Sequence, residues 1–290
     1  MVAIAPDVQT VAINGVDHYC EWIRQPSAPP KPVMVFVHGW GGSARYWEST
    51  ARAIADQFDC LLYDQRGFGR SAQLVENISD YALETYADEL AALLDHFGLE
   101  RVYLNGHSVG ASIAVLFLQR QPQRVERAIL TCSGIFDYNP FTFTAFHQVG
   151  ALVVKLRFNW FLQIPFAGRL FMSRFVARPL DAVTNRLFLS DYLLAAEGAA
   201  IGTIYTAVSQ HAATVMPQAF RDIPVPTLLV AGAEDQIIPP KLARRAAALS
   251  DRIDYCELPN TAHFPMLEDS TAYLQHLRKF LSVPAAAIDS

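Results

Sequence analysis

Residues 103–115 read YLNGHSVGASIAV. Inside them Gly106-His107-Ser108-Val109-Gly110 forms a G-x-S-x-G pattern, with an apolar run before it and a run of small residues after it. Such a pentapeptide arises often by chance. It carries chemistry where a buried strand turns sharply into a helix. That turn holds a serine in a strained conformation with its hydroxyl exposed, and small flanking residues let strand and helix approach each other. The free amides and positive dipole end of the helix then face whatever reacts with the serine. Whether Ser108 meets these conditions depends on the rest of the chain.

Working outward, the pattern alternates. VQTVAINGVDHYCEWI reads as two strands around the Asn14-Gly15 hairpin turn. VMVFVHG is a continuous apolar and β-branched run, as expected of a strand buried on both faces, CLLYDQRG reads as another buried strand, and RVYLNG, RAILTCSG, PTLLVAGAED and IDYCELPN read as further strands. Helical periodicity separates them, in ARYWESTARAIADQF, SDYALETYADELAALLDHFG, ASIAVLFLQRQP, the stretch from about Pro240 to Leu249, and TAYLQHLRKFL. Strand and helix in alternation predict an α/β fold, a mostly parallel central sheet with helices on both faces and antiparallel strands at one edge. Residues 137–218 contain no clear buried strand and read as helices interrupted by Pro and Gly. They are expected to form a helical cap over a core of residues 1–136 and 219–290. The alanine-rich tail VPAAAIDS is expected to fray.

In such a fold, ligands bind outside the carboxyl ends of the strands, so the residues at those ends are the candidates. Ser108 follows VYLN. A serine hydroxyl is a weak nucleophile and needs a base. His263 stands in the polar loop after the last strand, ahead of the final helix, and is the expected base. His107 adjoins the serine but diverges from it on the turn, and is read as structural or pocket-lining. His38 is expected to be a structural hydrogen bonder; His18, His96 and His276 are surface or packing residues; His147 and His211 lie in the cap, where they could line a pocket. The base needs a carboxylate to hold its tautomer. Asp235 ends the penultimate strand and is preferred. Asp137, one strand earlier, remains a competitor, and Glu234 points elsewhere in an extended segment. An oxyanion needs preorganised donors. These are expected from the amide of Val109 and from the amide of Trp40 in the loop His38-Gly39-Trp40-Gly41-Gly42, with the indole walling the pocket or packing. Phe141, His147 and Phe264 join His107 as pocket candidates. The chemistry calls for no metal and no organic cofactor.

The motifs HGWGG, YDQRGFGRS, GHSVGA, GAEDQIIP and AHFPMLED occur in an order and spacing similar to that of the α/β-hydrolase superfamily. The order Ser108, Asp235, His263 is that family's order. The resemblance covers nearly the whole chain except the cap. It implies an acyl-enzyme hydrolase of the serine-nucleophile, capped, esterase- or lipase-like branch. It leaves DQRGFGRS a structural loop, and disfavours the dehalogenases and epoxide hydrolases that place an aspartate where this chain has Ser108. The expected activity is hydrolysis of carboxylic esters of small apolar substrates. Carbon–carbon bond hydrolases, thioesterases and perhydrolases or acyltransferases share the triad and remain alternatives. So does a ligand receptor of the same fold with little turnover.

Bulk properties narrow the partners. The chain of 290 residues is 52% hydrophobic and 18% charged, which is globular rather than disordered. A net charge of −5 argues against nucleic acid as a partner. The scattered Cys20, Cys60, Cys132 and Cys256 form no C-x-x-C pair and are expected to be buried, reduced thiols of a cytoplasmic protein. The N-terminal MVAIAPDVQTVAING lacks a basic start followed by a long apolar stretch, so no signal peptide is expected. Residues 138–154 are uncharged but shorter than the ~20 apolar residues a membrane span needs. Residues 138–180 hold no Asp or Glu, five cations, and eight of the eighteen Phe. That basic, aromatic segment either packs on the core or offers a greasy pocket with a cationic face for peripheral membrane contact. The sequence leaves the oligomeric state open.

Overall fold

The computed structural model describes residues 7–27, 30–72 and 80–282. The alanine-rich tail and residues 1–6 of the N-terminal stretch lie outside the described residues. Asn14 and Gly15 adopt positive φ values of 53° and 79°. A tight hairpin turn matched to strand twist needs this conformation, and here it joins β1 (Asp7–Ile13) to β2 (Val16–Ile23). Next come β3 (Val33–Val37), β4 (Asp59–Tyr63), β5 (Val102–His107), β6 (Val125–Thr131), β7 (Thr227–Gly232) and β8 (Ile253–Leu258). They form one eight-stranded sheet in the order β1-β2-β4-β3-β5-β6-β7-β8. Only β2 is antiparallel to its neighbours; every pair from β4 to β8 is parallel.

The inner strands β3 to β7 are mostly apolar because both faces are covered, whereas β1, β2 and β8 carry exposed polar residues. Val35, Val37, Leu61 and Leu104 point to one side, into a core shared with α2 (Leu83–His96) and α3 (Val109–Arg120). Met34, Phe36, Cys60 and Leu62 point to the other, against α1 (Glu48–Ile54) and the C-terminal helix α11 (Ser270–Ser282). Each such side chain contributes about 1.5–3 kcal/mol on full burial. A one-residue slip of register would therefore exchange two complete apolar sets between layers built to fit them.

Between β6 and β7 lie α4 (Pro140–Lys155), α5 (Ala167–Met172), α6 (Ala182–Leu194), α7 (Glu197–Ala207) and α8 (Gln210–Arg221). Asn139, Asp181 and Ser209 cap α4, α6 and α8 by accepting from amides three residues on. The last of these helices, α8, packs in the helical layer of the sheet: Met216, Ala219 and Phe220 are buried in the core with α3 and α9 (Pro240–Ala247). Two helices differ from expectation. ARYWESTARAIADQF divides into a 3-10 turn, Ala44–Trp47, and α1, which ends where Gln57 and Phe58 fold back onto the Ile54 carbonyl. A single turn, α10 (Pro265–Glu268), begins directly after the His263 loop, earlier than the expected final helix. Among the described residues no single helix is long and apolar enough to cross a membrane. α6 and α7 together have the length and composition, but they are bent by 94°.

Candidate active site

Ser108 occupies the junction of β5 and α3 at φ 55°, ψ −120°. A non-glycine residue held there stores about 1–3 kcal/mol of strain. The surroundings over-determine it: its amide donates to the Thr131 carbonyl at 2.9 Å, and its carbonyl accepts from the amides of Ala111 and Ser112 at 3.0 and 3.1 Å. Both glycines of the motif are required by space. A Cβ on Gly106 would stand 2.7 Å from the Gly110 carbonyl oxygen, and one on Gly110 only 2.3 Å from that of His38.

The structure brings Ser108, His263 and Asp235 into one line. The Ser108 hydroxyl lies 2.9 Å from His263 Nε2, and His263 Nδ1 lies 2.8 Å from Asp235 Oδ2. A carboxylate only accepts, so Nδ1 carries the proton and Nε2 is left to receive one from the serine. The other Asp235 oxygen accepts from the amides of Ile237 and Ile238 at 2.8 and 3.0 Å. Burial alone would raise the pKa of this carboxyl. The facing imidazole and the two amides outweigh burial, and the pKa falls below the usual range. All three groups are nearly excluded from solvent, with Ser108 7% exposed.

Two supports surround this line, and the parts of Tyr46 and Glu268 in them were not legible in the sequence. His107 donates from Nε2 to the His263 carbonyl at 2.7 Å, so its Nδ1 accepts from the Tyr46 hydroxyl at 2.9 Å. Tyr46 in turn accepts from the Gly39 amide at 2.5 Å. The strand-end loop holding Trp40 and the loop holding His263 are thus joined through two buried side chains. The second support is Glu268. One of its oxygens accepts from the amides of Ala262 and Phe264, the other from those of Ala177 and Arg178. It fixes both sides of His263 and ties them to the segment after α5. An acid ending the first helical turn and reaching back to earlier amides was its only sequence signal.

Among the described residues, neither the Trp40 nor the Val109 amide has a hydrogen-bond partner; Val109 opens α3 directly after Ser108, and a Cβ built on Gly39, the residue before Trp40, would stand 3.1 Å from that of Ser108. The Trp40 indole does not hang free as a pocket wall. Its N–H donates to the Ala200 carbonyl at 2.8 Å and its rings lean on Tyr192.

The remaining candidates fall elsewhere. Asp137 makes a two-pronged ion pair with exposed Arg245, and Glu234 faces solvent. His38 is buried, bonded to the Gly39 carbonyl and the Gln65 amide. His18 is a buried packing residue, and His211 pairs with Glu84. Of the four pocket candidates, Phe141 needs correction, and His107 takes the structural of its two readings. His107 is enclosed, with both ring nitrogens engaged, and lines nothing. Phe141 is 87% exposed, because the helical period turns it away from the buried side of α4 marked by Phe143. His147 tethers α4 to the Val208 carbonyl. Phe264 stands beside the line, its ring 5.5 Å from that of His263, in an aromatic group with Tyr46, Phe175 and Phe188. A cavity of about 570 Å³ lies within the insertion, between the turns around Phe161 and Phe166 and the start of α6, and includes none of the Ser108 group. His107, Cys132 and His263 place possible ligand atoms within 4.8 Å of one another. A metal there would have to displace hydrogen bonds from every ring nitrogen, and burial pushes the Cys132 thiol pKa well up, away from the thiolate a metal requires.

Residues 32–270 match a family described as alpha/beta hydrolase fold. The putative carbamate hydrolase RutD of Pseudomonas savastanoi pv. phaseolicola is 26% identical over 87% of this chain and 94% of its own. The bifunctional esterase/perhydrolase DCH of Acinetobacter calcoaceticus is 24% identical over 81% of this chain and 84% of its own. The crystal structure of the enol-lactonase from Burkholderia xenovorans LB400 superimposes with a TM-score of 0.78 at 20% identity, covering 95% of this chain and all (100%) of that one.

Proposed function

The chain belongs to the alpha/beta hydrolase fold family, and from that premise we propose that it is a serine hydrolase cleaving carboxylic esters of apolar substrates. The observation that carries this reading is the unbroken hydrogen-bonded line from a strained serine through His263 to Asp235. As Ser108 Oγ attacks the ester carbonyl carbon, His263 Nε2 takes its proton. The carbonyl oxygen becomes an oxyanion and accepts from the amides of Trp40 and Val109. His263 then passes the proton to the departing alcohol, leaving the acyl group on Ser108. Water repeats the sequence in the second half: His263 takes its proton, the oxygen attacks the acyl carbon, and the acid leaves as Ser108 is regenerated. Asp235 stays ionised throughout, and its negative charge favours the imidazolium formed at each step. The aromatic group around Phe264 supports an apolar acyl or alcohol portion. Within residues 137–218, the helices α4 to α7 serve as the cap over this site, and α8 packs on the sheet.

A second reading keeps the machinery and changes the bond. Names such as carbamate hydrolase and esterase/perhydrolase among the relatives favour acyl groups or acceptors beyond a simple ester and water. A panel of nitrophenyl esters of increasing chain length, measured on wild type and Ser108→Ala, tests the first reading. Hydrolysis at some chain length is expected, with a loss on the order of 10⁴–10⁶-fold in kcat for the variant. An unchanged rate in Ser108→Ala would overturn the mechanism. Turnover confined to carbamates or thioesters would move the assignment to the second reading.

A further inference from the structure

Exposed apolar surface is concentrated in one part of this molecule. Among the described residues, every exposed large apolar side chain except Val8 lies between positions 138 and 205. On α4, Phe141, Val149, Leu152 and Leu156 are exposed by 87, 61, 56 and 50%. At ~100° per residue they share roughly a quarter of the helix circumference. The opposite side of the same helix, with Phe143 and Val154, is buried. A surface helix ordinarily has one apolar stripe; α4 has two, and the outer one is exposed. Beyond α4, Trp160, Phe166 and Leu170 are 54, 81 and 77% exposed.

The charge on this segment has one sign. Residues 138–180 contain five cations and no acid, on a chain whose net charge is −5. Lys155 and Arg169 are exposed. Arg174 donates to the neutral amide of Gln236, so its charge is not cancelled. We propose that this insertion docks on an anionic membrane surface. The outer stripe of α4 and the exposed turn at Phe166 enter the headgroup boundary, while Lys155, Arg169 and Arg174 meet lipid phosphates. The segment lies on the membrane rather than crossing it, since no single described helix is long and apolar enough to span. A second copy of the chain fits less well. A twofold contact brings the same patch against itself, and here that would set cations against cations with no acid in the segment to pair them. The inference does not depend on the reaction catalysed.

Co-flotation with vesicles tests it, using phosphatidylcholine alone and phosphatidylcholine mixed with phosphatidylglycerol. Wild type should float with the anionic vesicles, weakly or not at all with the neutral ones, and less as salt is raised. Val149→Ser combined with Leu152→Ser should weaken anionic-vesicle binding by about tenfold or more. Lys155→Gln combined with Arg169→Gln should do the same. Both variants should keep the wild-type melting temperature, because the four side chains are exposed. Absence of binding to either vesicle would overturn the proposal, as would equal binding to both. So would a concentration-dependent dimer that the apolar substitutions abolish without any vesicle binding, since that outcome assigns the stripe to a second copy.

Discussion

His107 is the residue through which stability and the site are coupled. Burial, and then the neighbouring His263, hold its pKa well below the ordinary imidazole value of 6.5. Above that value folded and unfolded chains both carry it neutral, and it contributes no pH dependence. Below it the unfolded chain binds a proton that the folded chain refuses, so this group costs stability as pH falls. His107→Gln removes that cost along with the hydrogen bonds. The variant should be less stable than wild type near neutrality by about 1–3 kcal/mol. The gap should narrow as the pH is lowered through 6.5. Melting temperatures of both proteins across this range check the sign; a constant gap would show that His107 titrates alike in both states. At this scale the sequence was informative wherever a residue ended a strand. Ser108 and Asp235 follow apolar, buried runs, and His263 follows the partly exposed edge strand β8. Tyr46 and Glu268 were not legible, because they act by reaching back from a helical turn to amides that only the tertiary fold brings near.

The strand-to-helix turn is the element on which the site rests. The Gly110 position lies 2.4 Å or less, measured from a built Cβ, from the carbonyl oxygens of both Val37 and His38. Gly110→Ala must therefore push α3 away from β3. Overpacking of this kind costs about 1–3 kcal/mol or more, which in a protein of this size lowers Tm by several degrees. The Val109 amide would move with the helix, so kcat should fall more than the small loss of stability explains. A Tm and an ester-hydrolysis rate both equal to wild type would contradict the close approach. The strands were read from their continuous apolar composition because both faces of the sheet are covered. α4 was harder to place because its outer stripe is as apolar as its buried side, so periodicity alone does not tell core from surface. ARYW was read as the start of a longer helix because nothing local marks its 3-10 geometry.

For the whole molecule, the insertion is tied to the core by apolar packing, with Ala199, Ala200 and Ile204 in the core beside α2 and α3, and by polar bonds within the insertion and out of it. Arg157 donates to the carbonyls of Val154, Tyr192 and Ala195, joining α4 to the end of α6. The Trp40 indole joins the strand-end loop to α7. Arg157→Ala leaves three partly buried carbonyls without this donor. Amide hydrogen exchange should quicken in α4 and α6 while the strands keep wild-type protection. Equal exchange throughout would mean that Arg157 does not hold the insertion. The run of helices between β6 and β7 was legible from the strand-free stretch after β6. The seating of α8 against α3 was not, because it depends on which of several short apolar helices reaches the sheet first. The central claim concerns one oxygen atom. A fluorophosphonate forms a P–O bond with an activated serine and loses fluoride, so intact-mass spectrometry counts the reaction and peptide mapping places it. Wild type should gain one phosphonyl group on Ser108, His263→Ala should react far more slowly, and Ser108→Ala should gain none. Labelling of Ser108→Ala at the wild-type rate, or an adduct on another residue, would contradict the account.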